Sequence, residues 1–302
     1  MYDLIIIGAG PAGITAAVYA ARKKMQVLVI TVDIGGQTIW SGDIDNYTGY
    51  QFITGPELAA KFEEHMRRYN VAVKENEKVV ELRKIDNTVT VKTIKGEYQS
   101  KTVIIASGKK SKELRVPGEQ EFKNKGLSYC ATCDGPLFAD KDVVVIGGGN
   151  SALDAALQLM KIASHTYIIN ILPQLGGDAV MREKVENSPS VTIFNNSRVV
   201  AVYGEKMVTG IGFVTGSNPE KRIQVQGVFV EIGLVPNTGF AADVELNEAG
   251  EIKVNCRNET SIPGIFAAGD VTDVPEKQIV IAAGEGAKAL LSSFRYLAEH
   301  RL

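Results

Sequence analysis

The chain contains 302 residues, 45% of them hydrophobic, which is long enough for two globular domains that each bury a core of their own. Its formal net charge of -2 gives no overall basic field, so we expect no nucleic-acid partner. Three cysteines are too few for the disulfide framework of a secreted protein, and no apolar run reaches the roughly 18 residues of a membrane-spanning helix, so we expect a cytoplasmic protein that does not cross a membrane.

The first predicted elements are a buried parallel strand and a helix, joined by a glycine turn. Leu4-Ile5-Ile6-Ile7 is a short apolar run, and small apolar residues predict a helix from Ile14 to Arg22. In such a unit the first glycine permits a tight turn, the second lets the backbone approach a pyrophosphate, and the third lets helix and strand pack closely. The turn predicts a dinucleotide site formed by Gly8, Gly10, Pro11, Ala12 and Gly13.

Two polar loops follow the second predicted strand, Gln26 to Ile30. The strand ends near Asp33, which either binds a ribose or begins a loop. Gly36, Gln37 and Asn46 belong to stretches rich in amides and hydroxyls, which can hydrogen bond to the edges of a flat heteroaromatic ring or can simply form turns.

The next region predicts a helix, a small antiparallel layer and another buried strand. Residues Pro56 to Tyr69 carry apolar side chains at helical spacing, and the alternation from Val71 to Gln99 predicts the antiparallel layer. Thr102 to Ser107 predicts a buried strand that reaches a glycine turn. The charged stretch from Lys109 to Lys125 then predicts a crossing between domains.

A pair of cysteines follows this crossing. Cys130 and Cys133 have the spacing that can close a small, reducible disulfide, and Asp134 next to them either shuttles a proton or caps a nearby helix. The alternative is half a zinc site, but only Cys256 and three scattered histidines remain to complete four ligands. We therefore predict redox chemistry and no metal, with Cys256 as an incidental surface residue.

A second strand, glycine turn and helix then repeats the first. Val143-Val144-Val145-Ile146 precedes the turn, and the helix is predicted from Ser151 to Ile162. After the next strand, Thr166 to Ile169, residues 170–177 contain no basic side chain for a 2′-phosphate and no carboxylate for ribose hydroxyls, which disfavours NADPH. The predicted nicotinamide site comprises Gly147, Gly149, Asn150, Ser151, Ala152 and Asn170, the last of which either binds a 2′-hydroxyl or ends the strand.

The C-terminal part returns to short strands and ends in a long helix. Val191 to Val230 predicts strands, and Pro236 marks a second crossing. A buried strand then ends at Gly269-Asp270, where an acid can accept hydrogen bonds from ribitol hydroxyls. Lys277-Gln278-Ile279 opens a helix to about Ala298, whose positive end either faces an electron-rich ring or is an ordinary helix start.

These motifs, in this order, resemble the low-molecular-weight thioredoxin reductases and the C-terminal reductase part of the alkyl hydroperoxide reductase flavoprotein. The resemblance implies an α/β fold of two Rossmann-like three-layer domains, with the nicotinamide domain inserted into the FAD domain. Residues 1–113 and 244–302 would form the FAD domain, and residues 114–243 would carry the nicotinamide site and the disulfide. A homodimer is also implied.

Three departures from these relatives bear on the cofactor and the partner. Asn170-Ile171-Leu172 and Gly176 replace the His-Arg-Arg pattern and the further Arg of the thioredoxin reductases, so their NADPH specificity does not carry over. The peroxide-reductase relatives have Glu where Asn170 stands, so their NADH preference is only partly supported. They also carry an N-terminal disulfide-bearing extension with no counterpart here, so we expect a separate protein to receive the electrons.

The resemblance therefore implies a flavin-dependent disulfide reductase. NADH, rather than NADPH, would reduce FAD, the flavin would open the disulfide through Cys133, and Cys130 would attack a thioredoxin-like or glutaredoxin-like protein. Rotation about the two crossings would present the nicotinamide and the disulfide to the flavin in turn. Two alternatives stay open: a protein donor such as ferredoxin in place of either nicotinamide, and a non-enzymatic flavin-binding redox sensor.

Overall fold

The computed structural model describes residues 1–40, 43–44, 46–129, 131–300 and 302. The chain divides into two compact units, one formed by Met1–Lys110 with Val235–Leu302 and the other by Ser111–Leu234. The domain bounds implied by the resemblance, 113 and 243, fall a few residues later, because residues 111–113 pack with the inserted unit and residues 235–243 pack with the first unit.

The secondary structure follows the repeated strand-turn-helix plan. Up to the first crossing, the elements are β1 (Tyr2–Ala9), α1 (Pro11–Arg22), β2 (Val27–Ile34), a 3-10 helix (Gly36–Trp40), β3 (Asp43–Ile44), β4 (Ile53–Thr54), α2 (Gly55–Arg67), β5 (Ala72–Lys74), β6 (Val79–Ile85), β7 (Thr88–Thr93), β8 (Glu97–Ile105) and β9 (Lys109–Ser111).

The inserted unit and the return to the first unit complete the order. They contain α3 (Glu119–Phe122), β10 (Leu127–Ser128), α4 (Ala131–Asp134), a 3-10 helix (Gly135–Phe138), β11 (Asp142–Ile146), α5 (Asn150–Leu159), β12 (His165–Ile169), α6 (Ala179–Glu186), β13 (Val191–Phe194), β14 (Ser197–Gly204), β15 (Val208–Thr215), β16 (Lys221–Gln224), β17 (Gly227–Val230), β18 (Leu234–Pro236), β19 (Ile265–Ala267) and α7 (Ile279–Glu299).

The first unit is built on a parallel sheet in the order β5-β2-β1-β8-β19. One face of β1, with Leu4 and Ile6 fully buried, packs against α1 and α7. The other face, with Ile5 and Ile7, packs against side chains of β6 and β7 and of the segment before β19. Burial on both faces explains why β1 is apolar without alternation.

Strand β8 belongs to two pairings along the same edge. Its first half pairs antiparallel with β7, and its second half pairs parallel with β19. The predicted antiparallel layer is therefore confirmed for β6, β7 and the first half of β8. It is wrong for β5, which joins β2 in parallel because the helical connection through α2 returns the chain in the same direction.

The inserted unit has a parallel sheet in the order β10-β17-β11-β12-β13. Val143 and Val145 pack with α5 on one face, whereas Val144 and Ile146 pack with the antiparallel β14-β15-β16 sheet on the other. Both units thus have helices on one face of a parallel sheet, as the α/β prediction required. No helix within the described ranges has both the length and the apolar content needed to cross a bilayer.

Candidate functional site

The first glycine turn lies between β1 and α1, and two of its glycines are required by close backbone contacts. Gly8 has φ +104°, and a Cβ there would lie 2.3 Å from the carbonyl oxygen of Ala106. A Cβ on Gly13 would lie 1.9 Å from the carbonyl oxygen of Gly8. Gly10 differs, because a Cβ on it would meet no atom within 4 Å. Backbone atoms therefore fill the space beside Gly8 and Gly13, whereas the space beside Gly10 is free; we call such a turn closed at Gly8 and Gly13 and open at Gly10.

Other predicted residues of the first unit converge on the same turn. A Cβ on Gly36 would lie 3.3 Å from Gly10 Cα, and one on Gly269 would lie 3.0 Å from Ala12 Cβ. These contacts bring the start of the 3-10 helix and the carboxyl end of β19 against the turn. Two stretches distant in sequence also meet, since Asn46 Nδ2 donates to Gln278 Oε1 at 3.2 Å.

Charged groups surround Asp270 at the end of this sheet. Glu251 accepts Lys109 Nζ at 2.8 Å and Lys277 Nζ at 3.2 Å. Burial raises the pKa of Asp270 and the charge of Glu251 adds to that effect, while Lys277 and Lys109 oppose it. The half-buried Asp270 is thus a good hydrogen-bond acceptor with nearby cations to balance its charge.

The ion cluster predicts a pH dependence of stability. Burial opposes ionisation of Glu251, but hydrogen bonds from Lys109, Asn247 and Lys277 lower its pKa to about 2 from the model-compound value of 4.5. A carboxyl whose pKa is lowered by folding stabilises the protein above its unfolded-state pKa, and loses that contribution as the pH falls through the folded-state pKa. We expect Glu251→Gln to unfold more easily than the parent at pH 6.

The measurement is urea unfolding of parent and Glu251→Gln from pH 6 down to pH 2. The difference in unfolding free energy between the two proteins is expected to shrink below about pH 4.5, where the unfolded-state carboxyl begins to protonate, and to vanish near pH 2. Comparing the two proteins cancels the carboxyl groups on which Glu251 does not act; Asp270, whose pKa the Glu251 charge raises, is the exception. A difference that stays constant over this range would contradict the assignment.

A buried carboxylate in α7 holds the loop that carries Asp270. Glu285 is only 5% exposed, and its Oε2 accepts the backbone N–H of Gly269 at 2.9 Å. One residue farther along the helix, a Cβ on Gly286 would lie 2.0 Å from the carbonyl oxygen of Ala12. Helix α7 therefore fixes both Gly269 and the first turn of α1.

The second glycine turn, between β11 and α5, repeats the features of the first. Gly147 has φ +136°, and a Cβ there would lie 2.1 Å from the carbonyl oxygen of Glu231. A Cβ on Gly149 would meet no atom within 4 Å, as at Gly10. Ala152 is buried behind the turn, whereas Ser151 is exposed at the start of α5.

Both turns fit the pyrophosphate of a dinucleotide. Gly10 and Gly149 occupy the N-cap positions of α1 and α5, and neither supplies a side-chain cap to the first-turn amides. Open space at both glycines leaves room for an anionic group at the positive end of each helix. FAD in the first unit and a nicotinamide dinucleotide in the second are compatible with these turns.

The loop after β12 is held from inside by Asn170. This residue is 1% exposed, and its Nδ2 donates to Leu172 O at 3.1 Å, Gln174 O at 2.9 Å and Asn195 Oδ1 at 2.8 Å. These contacts are the ones expected if Asn170 ends the strand and holds the turn after it. A role of Asn170 toward a ribose hydroxyl stays a prediction.

One contact joins the start of α6 to α5, and another joins α6 to this loop. Asn150 Oδ1 accepts the N–H of Asp178, the residue that caps α6. Arg182 Nη1 donates to Leu175 O at 3.4 Å. A guanidinium therefore reaches the loop from α6, although residues 170–177 themselves contain no basic side chain. Arg182 was not predicted from the sequence, because it lies on α6, outside residues 170–177.

The cysteine pair falls at the edge of what can be described. Cys130 and the side chain of Cys133 lie outside the described residues, while the backbone of Cys133 belongs to α4. Asp134 directly precedes the 3-10 helix at the N-cap position but accepts no capping hydrogen bond there. The helix-cap alternative for Asp134 is therefore wrong, and its role in proton transfer stays a prediction.

A buried carboxylate fixes the residue before Cys130. Glu119 is 1% exposed, and its Oε1 accepts the Tyr129 hydroxyl at 2.7 Å. The same carboxylate accepts the backbone N–H groups of Leu114 and Arg115, each at 2.6 Å. Burial, and then the hydrogen bond to Glu119, raise the pKa of Tyr129. The segment just after the first crossing is thereby joined to Tyr129.

A second carboxylate contacts the residue after Cys130. Glu231 directly follows β17, and its side chain accepts the backbone N–H of Ala131. Burial raises the pKa of Glu231 to about 7, the charge of Asp154 adds to the effect, and the Ala131 N–H opposes it. Glu119 and Glu231 were not among the site residues predicted from the sequence. A signal existed for Glu231, since it directly follows the apolar run Val228-Phe229-Val230.

The remaining polar candidates do not form a metal centre among the described residues. Within those residues, no group of three or more His, Cys, Asp and Glu side chains is placed to hold an ion. Cys256 has a free thiol and is exposed.

The chain is similar to known proteins over most of its length. A family profile described as pyridine nucleotide-disulphide oxidoreductase matches residues 2–286. The sequence is 43% identical over 298 residues to the NADH dehydrogenase of Bacillus subtilis strain 168, covering 98% of this chain and 58% of that protein. It is 44% identical over 303 residues to a component of the alkyl hydroperoxide reductase of Pseudomonas aeruginosa, again covering 98% and 58%.

A solved structure matches over a full chain. The crystal structure of Lactococcus lactis thioredoxin reductase superposes with a TM-score of 0.89 at 33% identity, covering 99% of this chain and 100% of that one. The chain thus spans a little over half the length of the curated relatives, but the whole of this structural neighbour. The predicted family and fold class are confirmed.

Proposed function

The chain belongs to the pyridine nucleotide-disulphide oxidoreductase family, and from this premise we propose that it is a disulfide reductase that acts on a thioredoxin-like or glutaredoxin-like protein. In this proposal electrons pass from NADH, through FAD, to a disulfide between Cys130 and Cys133. The protein works in the cytoplasm as a homodimer.

One observation carries the proposal: the chain has two open glycine turns, one in each unit, that lie on either side of the cysteine pair in sequence. Gly10 and Gly149 each leave open space at the start of a helix. In each turn a neighbouring glycine, Gly8 or Gly147, packs tightly against the backbone of another segment. A protein that binds one dinucleotide needs only one such turn. Two turns support electron transfer between two bound cofactors, and the cysteines supply an acceptor.

The residues of the first unit bind and orient. The backbone at Gly10 to Gly13 would hold the pyrophosphate, and Asp270 would accept hydrogen bonds from ribitol hydroxyls. Glu285 keeps Asp270 in place through the N–H of Gly269. FAD held by these residues would supply two-electron chemistry between a nicotinamide and a disulfide.

The cysteines would then carry the reaction in balanced steps. Two electrons and two protons convert the Cys130–Cys133 bond into two thiols. The Cys130 thiolate attacks the partner's disulfide to form a mixed disulfide and releases one partner thiolate, to which Asp134 can pass a proton. Cys133 then attacks Cys130 of the mixed disulfide, which restores the Cys130–Cys133 bond and frees the partner as a dithiol.

The preference for NADH rests on the loop after β12. Residues 170–177 contain no basic group for a 2′-phosphate, and the Asn170 side chain is occupied by the loop itself. Arg182 is the cation that reaches this loop from α6. If NADPH proves to be the donor, Arg182 is the residue that would bind its extra phosphate.

The test is anaerobic reduction of the purified yellow protein by NADH, NADPH or reduced ferredoxin, followed by a thiol count. We expect NADH to bleach the flavin faster than NADPH, and full reduction to add two free thiols. Arg182→Gln is the matched control, because it should leave the NADH rate unchanged. Bleaching by ferredoxin alone would overturn the nicotinamide donor, and a bleached flavin without new thiols would overturn the disulfide.

A further inference from the structure

Two residues that were not predicted as site residues, Lys109 and Glu251, connect the parts of the first unit that were predicted to bind flavin. The Oε1 atom of Glu251 accepts both Lys109 Nζ, at 2.8 Å, and Lys277 Nζ, at 3.2 Å. The three side chains are only 13% to 25% exposed, so salt screens these ion pairs less than it screens surface pairs. The proposed function gives neither Lys109 nor Glu251 a role.

Hydrogen bonds fix the position of Glu251 on its other side. Its Oε2 accepts Asn247 Nδ2 at 2.7 Å, and its backbone N–H donates to Asn247 Oδ1 at 2.9 Å. The next residue, Ile252, donates its backbone N–H to Val271 O at 2.9 Å. This backbone pairing places Glu251 beside the segment that carries Asp270.

Both lysines belong to segments with predicted flavin contacts. The carbonyl oxygen of Lys109 accepts Gln37 Nε2 at 2.8 Å, and Gln37 lies in the 3-10 helix whose start packs against the first glycine turn. Lys277 Nζ also donates to Thr272 O, and the residue after Lys277 is the N-cap of α7. The ion pairs thus join the 3-10 helix, the loop after β19 and the start of α7.

The charges of this cluster balance one another. Asp270 and Glu251 are its acids and Lys109 and Lys277 are its bases, so the four ionised side chains carry no net charge. Replacing one of them by a neutral residue therefore changes the net charge by one unit. Such a change affects a flavin unequally in its two states, because at neutral pH reduced flavin carries a negative charge that oxidised flavin lacks.

We infer that the pair formed by Glu251 and Lys109 sets the net charge beside Asp270 and, through it, the reduction potential of the bound flavin. This inference rests on the proposed function, in which the first unit binds FAD. The Glu251 carboxylate opposes the charge that the flavin gains on reduction, and the Lys109 ammonium favours it. Both are positioning residues, since they act through their charge and through the segments that they join.

The experiment measures the midpoint potential of the flavin in the full-length, FAD-loaded protein. The protein is reduced slowly and anaerobically by xanthine and xanthine oxidase in the presence of a reference dye. Cys130→Ser and Cys133→Ser are present throughout, so electrons stop at the flavin, and neither a nicotinamide nor a partner protein takes part. Four variants are compared in this background: Glu251→Gln, Lys109→Gln, the double variant of these two, and Glu251→Asp.

Glu251→Gln should favour reduced over oxidised flavin by up to about tenfold, which is an upward shift of up to about 30 mV for a two-electron couple. Lys109→Gln should shift the potential downward by a similar factor. The double variant restores the charge balance and should return close to the parent. Glu251→Asp should also stay close to the parent, because it keeps the charge on a shorter side chain.

The double variant distinguishes a charge effect from a merely structural one. If the two side chains only hold the segments in place, removing both disturbs the site at least as much as removing either one. A double variant that departs from the parent further than each single variant would therefore overturn the inference. Single variants that both keep the parent potential would overturn it as well. The Lys109→Gln result does not depend on whether Glu251→Gln folds well.

Glu245→Gln is the matched control. Glu245 pairs with Lys253 at 2.7 Å in the same unit, but both side chains of this pair are exposed. Water and salt screen such a charge, so its removal should leave the flavin potential unchanged. A shift as large as that of Glu251→Gln would show that any lost carboxylate has this effect, and it would overturn the assignment to the Glu251 cluster.

The outcome separates from that of the proposed function. If the potentials behave as expected but the parent reduces no thioredoxin-like protein, the proposed function fails and the role of the Lys109–Glu251 pair stands. If the parent turns over normally but Glu251→Gln and Lys109→Gln keep its flavin potential, the role of the pair fails and the proposed function stands.

Discussion

Alanine at position 13 is expected to leave the protein without flavin. Its Cβ would lie 1.9 Å from the carbonyl oxygen of Gly8, so β1 and α1 would have to move apart at the point where the turn is closed. Overpacking of this kind costs about 1–3 kcal/mol and occasionally more. Urea unfolding and the visible flavin absorption of the purified protein measure the two effects.

Two glycine variants are matched controls for Gly13→Ala. Gly239→Ala adds a methyl group to an exposed position of the same unit with no atom within 4 Å, and it should change neither stability nor flavin content. Gly10→Ala also meets no atom, so the apoprotein should stay folded, but FAD affinity should fall if the pyrophosphate lies there. Full flavin content in Gly13→Ala would contradict the closed turn.

Serine in place of Cys133 is expected to lower turnover of a thioredoxin-like substrate at least about 10³-fold, because it removes a reacting atom and not merely a contact. Reduction of the flavin by the donor should remain, since the nicotinamide turn is untouched. Cys130→Ser should have the same effect on turnover. Stopped-flow flavin reduction and steady-state substrate reduction distinguish the two half-reactions.

Cys256→Ser is the control for the cysteine variants. Cys256 is exposed and has a free thiol, and it belongs to the first unit. Its replacement should leave both half-reactions unchanged. Turnover that survives in Cys130→Ser or Cys133→Ser would favour a flavoprotein whose electrons leave by another route.

The parts of the fold that local pattern determines were predictable from the sequence. Each glycine turn predicts the strand before it and the helix after it, because close packing and pyrophosphate binding impose a fixed spacing on the glycines. The helix α6 was missed because its inward face is weak, with Val185 as its buried residue, and its cap at Asp178 is not followed by an apolar periodicity. Strand β5 was misassigned because a strand of three residues carries too little pattern to show its partner.

The supporting residues of the site were much harder to predict. Glu119, Glu231 and Glu285 accept hydrogen bonds from backbone N–H groups elsewhere in the chain. Such a contact produces no recognisable spacing of residue types in the sequence. Buried carboxylates are expensive unless they are hydrogen bonded, so a glutamate in a small-residue or apolar stretch is itself a sign of a partner. Glu285, between Gly284 and Gly286, is the clearest example.

The carboxylate of Glu119 also limits which residues near the first crossing can change their backbone conformation. Its hydrogen bonds join Leu114 and Arg115 to Tyr129. A rotation of the backbone before Leu114 would therefore move Tyr129 together with Leu114, because the two residues cannot shift independently. Any rotation about the first crossing, as the family resemblance implies, would therefore have to be taken up by the residues before Leu114.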